Sequence, residues 1–225
     1  MDKVTKLKLA VFDMAGTTVN DVIDGVPLIL KSYDDAFSEY GISVPMMVLN
    51  EQRGRDKMTV IKELGGEKAP MIFDFFLNRL LENINHVNEI DGTEQVFKFL
   101  RDNGIKVIVS TGFPKEVASG IIEHLNWNGR GMIDGWVCSE MVGVSRPDPA
   151  MIVHAMKMFD IADPMNVIKV DDTAKGIEEG LNAGVISIGV LTGTQGVQRL
   201  TLAGPRTILK SIREIPEFLK KNDLL

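Results

Sequence analysis

Apolar residues first gather at positions 7–13 (LKLAVFD), a short run of the kind that suits a strand buried on both faces. Three later runs share that character and lead into helical patterns: 106–110 (KVIVS), 166–171 (NVIKVD) and 185–191 (VISIGVL). Strands alternating with helices predict a mostly parallel sheet covered on both faces, an α/β fold with a Rossmann-like core.

The interval between the first two runs is too long for one crossover helix, and positions 20–86 read mostly as helical. A helical insertion accounts for this, giving a core of residues 1–19 and 90–225 and an inserted α-helical cap of residues 20–89. The core resumes near Ile90-Asp91-Gly92 with a helix through Leu100 that closes at Asn103-Gly104. Such an insertion sits over the carboxyl end of the first strand as a lid. The 208–219 pattern, with Pro216 inside it, predicts an exposed, interrupted helix or two short ones. No internal repeat stands out.

Composition narrows the function. The chain's 225 residues, 44% hydrophobic and 25% charged, suit one core with an insertion rather than several independent domains. A net charge of -6 and the lack of any Lys/Arg-rich run argue against nucleic acid as a partner, though local basic groups can still hold a small anion. No apolar stretch is long enough for a bilayer span, and positions 1–8 lack a signal-peptide core, so a cytoplasmic protein with no membrane partner is expected. The lone Cys138 reads as a small buried apolar residue. A homodimer is expected only from the general prevalence of such assemblies.

In open parallel sheets, ligands sit at the carboxyl ends of strands. Here the first run ends in Asp13-Met14-Ala15-Gly16-Thr17-Thr18, the second in Ser110-Thr111-Gly112 and the third in Asp171-Asp172-Thr173, with Ser145-Arg146-Pro147 between them. These are the parts of a phosphoryl-transfer site: a carboxylate nucleophile, a hydroxyl, a fixed cation and further carboxylate for a hard metal. Mg2+ prefers oxygen ligands and keeps waters, so Asp13, Asp172 and one backbone carbonyl suffice beside the phosphate. Gly16 lets the backbone turn sharply and, with Thr17, present polar groups to anionic oxygens. Thr173 reads as a helix cap, and Asp171 as a neighbouring carboxylate rather than a metal ligand.

This order of motifs (DxxGT, the Ser/Thr loop, the basic residue and the acidic loop) resembles the haloacid dehalogenase superfamily over nearly the whole chain. The resemblance implies Asp13 as nucleophile, Ser110 as phosphate ligand with Thr111 and Gly112 beside it, and Arg146 bridging nucleophile and phosphate. It also implies Asp13, the Ala15 carbonyl and Asp172 as Mg2+ ligands.

Most phosphatases of that superfamily carry an acid two residues after the nucleophile, where Ala15 stands here; alanine has no proton to give to a leaving oxygen. The FDMAGTT loop, alanine included, is similar to the phosphonoacetaldehyde hydrolase branch, in which a cap lysine forms a Schiff base with the substrate aldehyde. The resemblance implies Lys57, in Gly54-Arg55-Asp56-Lys57, as that lysine, its pKa depressed by burial and by Arg53, Arg55 or Arg146. Arg53 and Arg55 are expected to help grip the anion. The chain departs from the branch at Arg53, Val60, Phe113 and Gly176, where that branch has methionine, histidine, tyrosine and an acidic residue. The expected function is a Mg2+-dependent hydrolase of a small phosphonate or phosphate metabolite, acting through an aspartyl-phosphate. A phosphate monoester phosphatase and a non-catalytic phosphometabolite binder stand as rivals. His86, His124 and His154 do not cluster and read as structural or surface residues.

Overall fold

The four apolar runs all fold as strands of one sheet. The computed structural model describes residues 6–225, so the first five residues of the N-terminal segment read above lie outside the described residues. The strands are β1 (Leu9–Asp13), β2 (Lys106–Thr111), β3 (Gly135–Cys138), β4 (Val167–Asp171), β5 (Ile186–Val190) and β6 (Thr207–Leu209). They pair in parallel in the order β6-β5-β4-β1-β2-β3, so β1 lies inside the sheet with β2 on one side and β4 on the other. Register sets Asp13 beside Ser110, and Phe12 beside Val170, one residue short of Asp171.

Between β1 and β2 the chain forms α1 (Leu28–Glu39), α2 (Met46–Glu51), α3 (Lys57–Gly65) and α4 (Ala69–Glu82). Tyr33 and Phe37 of α1 face Phe76 of α4, with the Tyr33 and Phe76 rings stacked at 4.6 Å between centroids. Such aromatic burial gives the helical segment an apolar interior of its own. The chain entering this segment pairs with the chain leaving it, Val19–Asn20 running antiparallel to Asn88–Glu89.

The rest of the chain supplies α5 (Thr93–Asp102), α6 (Lys115–His124), α7 (Ser139–Val142), α8 (Ala150–Met158), α9 (Ala174–Asn182), α10 (Val197–Ala203) and α11 (Ile215–Lys221). Alternation along β1 divides them between two faces. Leu9 and Val11 pack with Met151 and Ile152 of α8, while Ala10 and Phe12 join Phe97 of α5 and Ile121 of α6. Among the described residues no helix is long and apolar enough to cross a membrane. Cys138 is buried.

The expectation of an exposed interrupted helix over 208–219 needs correction. Thr207–Leu209 is an edge strand, and α11 begins only at Ile215, with Pro216 in its first turn where a missing N–H costs no helical hydrogen bond. Ile212, Ile215 and Leu219 are fully buried, so the segment is an integral part of the core.

Candidate active site

Asp13 ends β1, and the chain then turns back through Gly16, whose φ of 89° lies in the left-handed region. Any Cβ at that position would press into the Asp172 carboxylate, so glycine serves both the turn and the close approach of the two loops. Thr17 Oγ1 donates to Asp172 Oδ1 at 3.0 Å, and Thr18 Oγ1 to the Asp13 carbonyl at 2.8 Å. Thr17 is fully buried. Gly16 and Thr17 therefore shape and hold Asp172 and do not line the cavity that Asp13 faces.

Arg146 is the hub. Its Nη1 donates to Asp13 Oδ1 at 2.6 Å, its Nε to Glu179 Oε2 at 2.8 Å, and its Nη2 to both the carbonyl and the Oγ of Ser110 at 3.0 Å. Burial works against its charge, yet Glu179, Asp171 and Asp13 together push its pKa up and keep it cationic. Burial and the neighbouring Asp171 push the Asp13 carboxyl up, with Arg146 and Lys169 pulling it back toward the ionised form that a nucleophile needs. Asp171 is buried too, but Lys169, Arg146 and the Thr173 hydroxyl hold its pKa below the usual carboxylate value. Lys169 and Glu179 belong to this network and were not singled out from the sequence.

The structure separates the three residues of the second loop. Thr111 and Gly112 line the cavity with Asp13, Ala15, Lys57 and Arg146, whereas Ser110 lies behind it, its Oγ accepting from Arg146 and, at 2.8 Å, from Lys169 Nζ. Thr173 caps α9, accepting from the Gly176 N–H at 3.1 Å. Gly176 has a steric reason: a Cβ there would collide with the Asp171 carboxylate. The space that a side chain at 176 would enter is thus held by the Asp171 carboxylate.

From the helical segment come Arg53 and Lys57, both buried in the cavity wall. Asp56 caps α3 by accepting from the Thr59 N–H, which sets Lys57 as the first helical residue. Lys57 Nζ donates to the Arg55 carbonyl at 2.8 Å. Burial lowers its pKa to about 8; Asp13 opposes the shift, and Arg146 and Arg53 add to it. The Arg55 side chain turns outward to Gln52 and Glu63 and does not line the cavity, so it makes no contribution to anion grip here. Gly54, with φ of 84°, turns the chain between Arg53 and Arg55. His86, His124 and His154 lie away from this cavity, and the His124 ring bonds the Val87 carbonyl.

The donor set fits a divalent cation. Asp13, Asp171 and Asp172 place carboxylate oxygens within 4.8 Å of one another. Among the described residues, Asp172 Oδ2 is buried without a hydrogen-bond partner, its nearest cation being Arg53 at 4.0 Å. Burial raises the Asp172 pKa to about 8, with Asp13 and Asp171 adding to the shift and Arg53 opposing it, a cost that a bound cation would offset. Asp171 is held by Lys169 and Arg146, and Asp13 by Arg146, whereas Asp172 meets no cation closer than 4.0 Å among the described residues.

Comparison with known proteins agrees with this geometry. Residues 7–184 match the family described as haloacid dehalogenase-like hydrolase. Phosphonoacetaldehyde hydrolase of Bordetella pertussis is 31% identical over 205 residues, covering 83% of this chain and 73% of that protein. The enzyme of the same name from Lactiplantibacillus plantarum is 24% identical over 255 residues, covering 95% of each chain. Among solved structures, a phosphonoacetaldehyde hydrolase-like protein from Oleispira antarctica superposes with a TM-score of 0.84 at 22% identity, covering 96% of this chain and 92% of the other. With a parallel sheet that gathers Asp13, Arg146 and Asp172 at its carboxyl edge and a family match over most of its length, the chain belongs to the haloacid dehalogenase-like hydrolases.

Proposed function

We propose that this hydrolase cleaves the carbon–phosphorus bond of a small phosphonate bearing an aldehyde, a substrate of the phosphonoacetaldehyde type, with Mg2+ as its metal and residues 20–89 acting as its cap. The observation that carries the reading is the buried Lys57, with a pKa lowered to about 8, sharing one small cavity with Asp13 and Arg146 beside an alanine where an acid would serve ester hydrolysis. The relatives named above supply the precedent for the substrate class.

In this reading the neutral Lys57 amine adds to the aldehyde and water leaves, giving an iminium ion beside the phosphonate. An Asp13 oxygen attacks phosphorus in line while the C–P bond breaks. The bonding electrons move toward the iminium nitrogen, so an enamine forms and no alkoxide needs a proton from position 15. Arg146 steadies the nucleophile and meets a phosphoryl oxygen, with Thr111 and Gly112 lining the same cavity. Mg2+ held by Asp13, Asp172 and the Ala15 carbonyl would supply positive charge against the phosphoryl oxygens. Protonation of the enamine carbon and hydrolysis of the imine release acetaldehyde, and a second water cleaves the aspartyl-phosphate.

The test is phosphate and acetaldehyde release from phosphonoacetaldehyde with Mg2+, comparing wild type with Asp13→Ala and Lys57→Ala, with borohydride trapping alongside. Release lost in both variants, together with a reduced adduct on Lys57, is the expected result. Release from phosphate esters alone, dependent on Asp13 and indifferent to Lys57, would replace this reading with an ester phosphatase. That second reading draws on the Lys57–Arg55 carbonyl contact, which suits a lysine kept as a charged donor.

A further inference from the structure

Lys169 stands in the middle of β4 with no exposed surface, a charged side chain in an otherwise apolar central strand that ends at Asp171. It does not line the cavity. Its Nζ lies 2.8 Å from Ser110 Oγ, 3.1 Å from Asp171 Oδ2 and 3.5 Å from Glu179 Oε2. All three are also partners of Arg146, which reaches Ser110 Oγ at 3.0 Å, Asp171 Oδ2 at 3.4 Å and Glu179 Oε2 at 2.8 Å. Two buried cations thus share one set of acceptors, and Arg146 alone carries the connection on to Asp13 Oδ1.

The charge balance explains why a second cation is needed. One guanidinium faces three carboxylates, Asp13, Asp171 and Glu179, in a dry interior where unscreened charge is costly. Left alone, Arg146 would sit in a net negative surrounding, unsuited to receiving a phosphoryl dianion. Local packing favours the arrangement: a Cβ at Gly180 would come within 3.0 Å of Lys169 Cβ, so glycine there lets α9 close on β4 and brings Glu179 to both cations.

We propose that Lys169 is a positioning residue for the phosphoryl site. It holds Ser110, Asp171 and Glu179 where they fix the pose of Arg146, and it offsets their charge, so that Arg146 keeps attraction to spare for a phosphoryl group. The inference rests on the proposed roles of Asp13 and Arg146. A purely structural ion pair would make the same contacts, but it would not make phosphate affinity depend on the net charge of the cluster.

The deciding experiment is calorimetric binding of inorganic phosphate in the presence of Mg2+ to wild type, Lys169→Arg, Lys169→Met and the double variant Lys169→Met/Glu179→Gln, each checked for folding by circular dichroism. Lys169→Met is expected to weaken phosphate binding on the order of 30-fold, because a buried charge cluster loses one partner. Lys169→Arg should stay within about threefold of wild type, since it keeps the charge. The double variant, with one cation and one carboxylate removed together, should recover most of the affinity lost by Lys169→Met.

A folded Lys169→Met that binds phosphate within about twofold of wild type, or a double variant no better than the single one, overturns the inference while leaving the site reading intact. Should Lys169→Met fail to fold, the other two variants decide. Binding by both within about tenfold of wild type supports the role, and loss of binding by a folded, charge-balanced double variant overturns it. Wild type that takes up no phosphate overturns the site reading and this inference with it.

Discussion

Arg53 reaches out of the helical segment and donates through Nη2 to the carbonyl of Ala15 at 3.2 Å, the oxygen we propose as a metal ligand. The same nitrogen lies 4.0 Å from Asp172 Oδ2, and Nη1 donates to Thr194 Oγ1 at 3.1 Å. A guanidinium and a divalent cation so placed compete for acceptors and repel each other. Arg53→Met should therefore bind Mg2+ about 5- to 20-fold more tightly than wild type when titrated at low salt without substrate. Unchanged affinity would mean that Arg53 withdraws from the Ala15 carbonyl at no cost.

Lys57 provides a pH signature. With its pKa near 8, the neutral amine gains population as pH rises from 7 to 9, and trapping by borohydride should follow that rise. An inflection near the ordinary lysine value of 10.5 would remove Lys57 as the nucleophilic amine. Its folded pKa lies below its unfolded one, so the unfolded chain binds the extra proton between about 8 and 10.5, and stability should climb with pH across that window. Lys57→Met should abolish that climb in denaturant titrations.

Ala15→Asp should raise Asp13-dependent hydrolysis of a phosphate ester such as p-nitrophenyl phosphate by on the order of 100-fold, because it supplies a general acid at the cavity wall. Cleavage of the C–P bond should gain nothing. An equal gain for both substrates would show that phosphonate cleavage too is limited by proton transfer at position 15.

Asp171 and Gly176 form a testable pair. Gly176→Asp alone should be destabilising, because its side chain enters space held by the Asp171 carboxylate. Asp171→Gly alone should lose activity by leaving Lys169 and Arg146 short of a partner. Combining the two should recover part of both losses in thermal melts and in turnover, whereas simple additivity would mean that the two positions do not exchange roles.

Asp13, Asp172 and Arg146 are legible in sequence as neighbours because the first two stand at the ends of apolar runs, where the chain itself marks the carboxyl edge of a sheet, and the third precedes Pro147 in the loop before α8. Thr173 was legible as a cap for the same local reason. Lys169 and Glu179 were not, since their meaning depends on β4, α9 and the loop of Arg146 meeting in space; the one local signal was a lysine inside an otherwise buried run. The resemblance gives Ser110 the phosphate-ligand role with Thr111 beside it, but side chains alternate along β2, so Ser110 faces the cation network and Thr111 the cavity. Arg55 turns away from the cavity toward Gln52 and Glu63, contacts that no local pattern announces. Strands β3 and β6, at four and three residues, are too short for a period to show.

The seam around the cavity carries a consequence for the rhythm of catalysis. A Cβ at Gly54 would press on the Thr173 hydroxyl, and one at Gly112 on the Arg55 carbonyl, so the helical segment and the core approach closely at two glycines around a space of about 20 Å³. A space of that size holds about one water molecule, so seating a metabolite would require the two segments to part. A helical segment that opens at each turnover would put the slowest step in diffusion of whole elements through solvent rather than in bond breaking. Turnover should then fall as glycerol or sucrose thickens the medium, and a side chain at Gly112 that wedges the seam ajar should blunt that viscosity dependence while letting bulk water reach the aspartyl-phosphate early.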